Sequence, residues 1–164
     1  MTVSLDKHDR EIILLLQKDG RMSYVEMAKA IGVTEGTIRR KMHRLIEEGV
    51  IKVAAVANPY ALGFKAPAII GLHVNLDGLE ETAEQLAALP GVRYVAITTG
   101  NFDIILEGYW ADNEQLSNFL LKELPKVPGI NGPQTSLLLR IVRQSYDWGI
   151  PGESESPGGE ENKG

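Results

Sequence analysis

The run Ser23-Tyr24-Val25-Glu26-Met27-Ala28-Lys29-Ala30-Ile31-Gly32-Val33-Thr34-Glu35-Gly36-Thr37-Ile38-Arg39-Arg40-Lys41-Met42-His43-Arg44-Leu45 holds two helix starts separated by one stop. Ser23 followed three residues later by Glu26 is a capping box, in which hydroxyl and carboxylate each satisfy a backbone N–H at the helix start. Met27, Ala28 and Ile31 recur at helical spacing until Gly32, a residue suited to ending a helix. Thr34 caps the next helix at once, with Ile38, Met42, Leu45 and Ile46 on one face and Gly49 as its stop. Only Gly32 and Val33 separate the two helices, which predicts a helix-turn-helix.

Working outward, Asp6 reads as the N-cap of a preceding helix with Leu5, Ile12, Leu15 and Leu16 at apolar positions, ended by Gly20. After Gly49, residues 50–56 are apolar and β-prone, which predicts a strand serving as a wing. Residues 1–56 thus read as a winged helix-turn-helix domain. Asn58-Pro59 and a second proline at Pro67 mark a linker over 57–67.

Beyond it the elements alternate differently. Residues 68–75, 94–99, 103–110 and 135–143 read as strands. Leu79, Ala83 and Leu86 mark a helix between the first two, and Leu116, Phe119 and Leu120 mark one before the last. The order β-α-β-β-α-β predicts a ferredoxin-like domain over 68–148, so the fold class is α+β with two domains. Leu89-Pro90-Gly91-Val92 and Val127-Pro128-Gly129-Ile130 repeat one form between a helix and a strand, as two related halves would. Both helices of such a domain cover one sheet face. Apolar residues nonetheless stand on both sides of the strands, Ile69 against Ile70, Tyr94 against Val95 and Leu137 against Leu138, which predicts at least a dimer. Residues 149–164 are poor in core formers and read as a disordered acidic tail.

Composition bounds the function. With 43% apolar and 24% charged residues the chain has material for a core. No apolar run reaches the roughly 20 residues of a membrane span and the N-terminus lacks a signal-peptide pattern, so the sequence reads as cytoplasmic with no membrane partner. There is no cysteine and there are three histidines, which disfavours thiol chemistry and a dedicated metal site; no cofactor is expected. The net charge of −5 is unevenly held. Residues 1–65 carry 11 Lys and Arg against 8 Asp and Glu, a net of +3, whereas 66–164 carry 6 against 14, a net of −8.

The basic end has a readable face. At 100° per residue from Ile38, Arg40 falls at about 200°, directly opposite the apolar stripe, with Gly36, Thr37, His43 and Arg44 around it. Recognition helices read bases near their N-termini, so Glu35, Gly36, Thr37 and Arg40 are candidates for the major groove of double-stranded DNA, behind the cap Thr34. Arg39, Lys41 and Arg44 suit phosphates. A solvated helix face is the bland alternative, weakened by four cations within six residues while Glu47 and Glu48 are held to the far end. Gly36 reads equally as a close-approach point or a tolerated first-turn glycine, and His43 as a solvated side chain.

These residues resemble the Lrp/AsnC family, the leucine-responsive or feast/famine regulators of bacteria and archaea. The resemblance lies in Leu5-Asp6, Asp9, Ile12-Ile13, Leu16 and Asp19-Gly20-Arg21, then in Met27-Ala28, Ile31-Gly32-Val33-Thr34, Thr37-Ile38, Arg40, Arg44-Leu45 and Gly49-Val50-Ile51. It continues through Asn58-Pro59, Leu62-Gly63 and the turn Thr99-Gly100-Asn101-Phe102-Asp103. It implies a DNA-binding regulator whose second domains pair sheet to sheet as dimers, commonly assembled into octamers. It also implies a small effector, usually an amino acid, held between subunits near Gly100 to Asp103. Thr99, Gly100, Asn101, Phe102 and Asp103, with Thr135 and Ser136, are the effector candidates; Asn101 stands where the family often has Asp. The plain alternative is a hairpin turn in which Asp103 bonds the backbone. Two rival functions are an architectural DNA-binding protein without effector control and a siroheme-decarboxylase-like enzyme. The latter would carry His and aromatic residues where this chain has Phe102-Asp103-Ile104-Ile105-Leu106-Glu107, and no other catalytic constellation is present.

Overall fold

The computed structural model describes residues 3–145, so the expected acidic tail and the last residues assigned to the second domain lie outside the described part. The chain divides into two compact units, one running to Ala55 and including the described residues from Arg143 on, the other from Val56 to Val142.

The first unit has α1 (Lys7–Lys18), α2 (Tyr24–Ile31) and α3 (Glu35–Glu47). Their starts are those read from sequence: Asp6, Ser23 and Thr34 each accept a hydrogen bond from the third helical N–H. Gly32 reverses the chain between α2 and α3 at φ +81°, where a side chain would clash with backbone, and the Gly32 and Val33 N–H groups both return to the Ala28 carbonyl. Ile12, Met27, Ile38 and Leu45 are fully buried where the three helices meet.

Two expectations fail here. Ile46 is 46% exposed and not a core residue, because the stripe Ile38, Met42, Leu45 already fills the inward face. Residues 50–56 form no strand. The Val50 and Ile51 N–H groups are drawn back onto the Leu45 carbonyl to close α3. Residues 52–56 are exposed, with no strand among the described residues beside them, and a lone strand has no ladder to hold it.

The second unit runs β1 (Ala66–Val74), α4 (Leu79–Ala87), β2 (Val92–Ile97), β3 (Ile104–Trp110), α5 (Asn113–Asn118) and β4 (Ile130–Leu137), with a wider π turn and a 3-10 turn extending α5 to Lys126. The sheet order is β2-β3-β1-β4, antiparallel throughout, as the β-α-β-β-α-β reading requires. Boundaries shift. β1 begins at Ala66, inside the expected linker, and β2 begins at Val92. β4 starts five residues before the expected 135 and stops at Leu137, its last partner being Ala68 of β1. Gly132 and Pro133 disguised its beginning as a loop; a register shift opposite Gly71 and His73 accommodates them.

Cross-strand partners share a face, so register sorts the side chains. Ala68, Ile70, Leu72, Ile104 and Leu106 point to the helices and are fully buried there. Ile69, Ile105, Glu107, Tyr94 and Ser136 share the other face, where Ile69 and Tyr94 are exposed. That face is partly covered from within its own chain: Phe64 packs edge-on to Tyr109, centroids 6.5 Å apart, and the Phe102 ring lies on Gly71. Leu137 opposes Ala68 and so belongs to the helix side, exposed because β4 is the sheet edge, not because the open face is apolar there.

Candidate DNA-reading helix and hairpin-turn site

α3 sorts its cations into different environments. Arg40 is exposed and has no hydrogen-bond or ion-pair partner among the described residues. Arg39 is exposed, pairs with Glu35 at 2.6 Å and sits over the Tyr24 ring at 5.6 Å. His43 pairs with Glu47 at 2.9 Å, near the C-terminal end. Thr34 accepts from the Thr37 N–H and its hydroxyl meets that of Thr37 at 3.0 Å, which fixes the first turn around the open Gly36.

Contrary to the sequence reading, Lys41 is not displayed for phosphates, and Arg44, though 40% exposed, is tied to Asp9. The Lys41 side chain is only 13% exposed and donates to Asp9 at 3.0 Å and to Asp6. Arg44 donates to the other Asp9 oxygen. Asp9 itself is fully buried, and its carboxylate also accepts from the Asp6 N–H at 2.9 Å. The start of α1 is thereby tied to the flank of α3. The Lys41 hydrogen bond, with the Asp9 N–H, holds the Asp6 carboxyl well below the usual carboxylate range. Burial works against the Lys41 ammonium, but its bonds to Asp6 and Asp9 outweigh this and raise its pKa. The Asp9 hydrogen bond likewise raises that of Arg44. A signal for this cluster was present in the sequence: Asp9 lies three and four residues before Ile12 and Ile13, hence on the buried stripe of α1.

In the second unit, the β2–β3 turn is closed by Thr98, whose N–H donates to the Asp103 carbonyl at 2.9 Å and whose hydroxyl donates to the Phe102 carbonyl at 2.6 Å. Asp103 is anchored on β1. Its N–H donates to the Leu72 carbonyl and its Oδ2 accepts from the Val74 N–H, both at 3.0 Å, so the backbone-bonding role is real. Oδ1 has no hydrogen-bond partner among the described residues. Thr99, Gly100 and Asn101 are exposed at the tip, with Gly100 at φ +113°.

The structure adds and removes neighbours. His73, not singled out in the sequence, stacks on Phe102 at 5.3 Å and places Nδ1 3.7 Å from Asp103 Oδ2. Thr135 opposes Ile70 and Ser136 opposes Ile69, so the two point to opposite faces, and Thr135 is on the helix side, away from Phe102. Gln134, opposite Gly71, is the β4 residue alongside the Phe102 ring's position. Alternation along β4 was the missing signal, and it becomes usable only once register is known. Among the described residues no cluster of His, Asp and Glu is arranged to hold a metal, and no helix is long and apolar enough to cross a membrane.

Comparison with known proteins adds independent findings. Residues 5–52 match a family model for winged helix-turn-helix DNA-binding domains, and residues 67–148 match the Lrp/AsnC ligand binding domain. An uncharacterised HTH-type transcriptional regulator of Pyrococcus abyssi is 40% identical over 145 residues, covering 88% of this chain and 92% of that protein. The HTH-type transcriptional regulator FL11 of the same organism is 36% identical over 148 residues, covering 90% and 97%. Among solved structures, a transcriptional regulator from Neisseria meningitidis in complex with L-Met superposes with a TM-score of 0.78 at 25% identity, over 90% of this chain and 97% of that one.

Proposed function

The chain belongs to the Lrp/AsnC family of DNA-binding transcription regulators, and from that premise we propose that it reads specific DNA sequences with α3 under the control of a small effector, an amino acid. The observation that carries the first part is Arg40. It is the outward-facing cation of α3 that the rest of the described chain leaves unengaged, while Lys41 and Arg44 are bound up in holding the domain together. An unpaired guanidinium on the solvent face, near the N-terminal half of the helix, suits bidentate contact to guanine in the major groove. Glu35, Gly36 and Thr37 complete the groove-facing set, and Arg39 is the phosphate contact.

The exposed Ile69 and Tyr94 on the open sheet face support pairing of two copies, which would present two α3 helices to a palindromic site. The effector reading rests on the hairpin turn, with exposed backbone at Thr99 to Asn101 for a carboxylate and Asp103 Oδ1 for an ammonium. The L-Met complex of the Neisseria regulator fits an amino acid in this class of domain. These features support a regulator and not an enzyme.

Arg40→Ala is the test of the DNA reading. It is expected to weaken binding to the cognate sequence by about 10-fold or more, from the 1–3 kcal/mol of a bidentate base contact, with a smaller loss on random DNA. Equal losses on both DNAs, measured by fluorescence anisotropy, would overturn the assignment of Arg40 to base reading. For the effector, a thermal-shift screen across the twenty amino acids should raise the melting temperature for at least one, and a flat response across all would sink that part.

A further inference from the structure

The second unit carries a cleft of about 290 Å³ that the DNA and effector readings do not use. It lies at the end of the β2–β3 hairpin away from the turn: Gly91 and Arg93, at the start of β2, line it together with Trp110, at the end of β3. The six residues of β2 put roughly 20 Å between the cleft and the Thr98–Asp103 turn.

Its apolar wall is aromatic. Phe64, Trp110 and Phe119 line it, the last two in tilted contact with centroids 4.7 Å apart. Within that wall one polar group has no partner among the described residues. Trp110 is only 4% exposed, and its indole N–H donates to no described residue; Nε1 lies against Gly91, where an added Cβ would come within 2.7 Å of it. That N–H is not fully enclosed, and it is left without a protein acceptor among the described residues. At the mouth stands Arg93, the residue at which the β2 register slips between Val92 and Tyr94, a bulge that turns its side chain toward the cleft. Its guanidinium donates to the Val92 carbonyl at 3.0 Å and ion-pairs with no carboxylate among the described residues. Glu123 also lines the cleft, but its charge is taken by Lys126 at 2.7 Å.

We propose that this cleft is a second ligand site, distinct from the hairpin turn, taking a small carboxylate with an apolar body. The rings receive the body, and the carboxylate accepts from the Trp110 N–H and the Arg93 guanidinium. The assignment stands on the cleft's own groups and does not depend on DNA binding or on an effector at the turn.

The test uses the full chain carrying Trp148→Phe, which leaves Trp110 as its single tryptophan. Phenylacetate and 4-methylpentanoate are titrated with Trp110 fluorescence as the readout, beside neutral 2-phenylethanol and cationic 2-phenylethylamine. Both acids should give saturable changes, and the neutral and cationic probes should bind at least about tenfold more weakly. Arg93→Gln should weaken the acids about tenfold, and Glu123→Gln should tighten them by removing a nearby like charge. Calorimetry with Trp110→Phe, where fluorescence is lost, should also show weakened binding, with circular dichroism confirming the fold. No saturable response to either acid up to about 10 mM, undiminished binding by Arg93→Gln, or preference for the amine would each overturn the proposal.

Discussion

Asp9→Asn puts the greatest strain on the account of the first unit. The substitution keeps shape and volume but deletes the charge of a fully buried carboxylate that accepts from Lys41, Arg44 and the Asp6 N–H. Two of those bonds are charge-assisted, at about 1.5–3 kcal/mol each. Part of that loss is returned, because a neutral amide is easier to bury than a carboxylate and Arg44 is 40% exposed and can rehydrate. The Lys41 ammonium, 13% exposed, cannot; it keeps the Asp6 carboxylate but would face an amide in place of its second counter-charge. The net loss is expected at about 2–4 kcal/mol, toward the lower part of the range for breaking one side of a buried pair. With a urea slope of about 1 kcal/mol per molar for so small a unit, the midpoint should fall by about 2–4 M. The assay follows backbone amide signals of the first unit by NMR during urea unfolding, with Trp110 fluorescence in the Trp148→Phe background reporting the second unit, whose midpoint should not move. A loss under about 0.5 kcal/mol, or strict additivity of Asp9→Asn with Lys41→Met, would refute the reasoning, since groups sharing one network must couple.

Three further outcomes follow from the same geometry. Because the Asp6 carboxyl is held below its ordinary value of 3.8, chiefly by Lys41, its contribution is present above about pH 4 and lost as pH falls through the lowered value, so Asp6→Asn should flatten the acid side of the stability profile between about pH 4 and 2. Gly32→Ala forces a side chain into φ +81° and should cost about 1–2 kcal/mol, seen as a lowered melting temperature of the first unit with the second unchanged. Ile69→Lys, which puts a charge in the middle of the open sheet face, should shift the protein to smaller species in sedimentation velocity, and an unchanged distribution would mean that copies do not pair there.

The local elements were legible because their causes are local. Asp6, Ser23, Thr34 and Gly32 act on backbone groups within a few residues of themselves, so the three helices and their tight turn could be read directly. The order of strands and helices in the second unit was legible for the same reason, through alternating and 3.6-residue periods. Residues 50–56 misled because β-prone composition records what a segment can do beside a partner strand, and the described residues supply none there. Residues 130–134 misled in the opposite sense, since Gly132 and Pro133 look like a loop and yet sit in a strand that a bulge accommodates.

Amino-acid order by itself determined that α3 carries four cations within six residues, that Gly100 to Asp103 forms a turn, and that the two halves of the chain bear opposite charge. Only the tertiary structure decided what those cations are for. Lys41 and Arg44 turn inward because Asp9, more than 30 residues away in sequence, is delivered to α3 by the packing of Ile12 and Ile13, and a buried carboxylate recruits whichever cations come within reach. Register decided the rest in the second unit: it set Thr135 and Ser136 on opposite faces, laid Phe102 on Gly71 and brought His73 beside Asp103. Periodicity specifies which residues share a side of one element, but which elements then face each other is decided by long-range packing that no local pattern encodes.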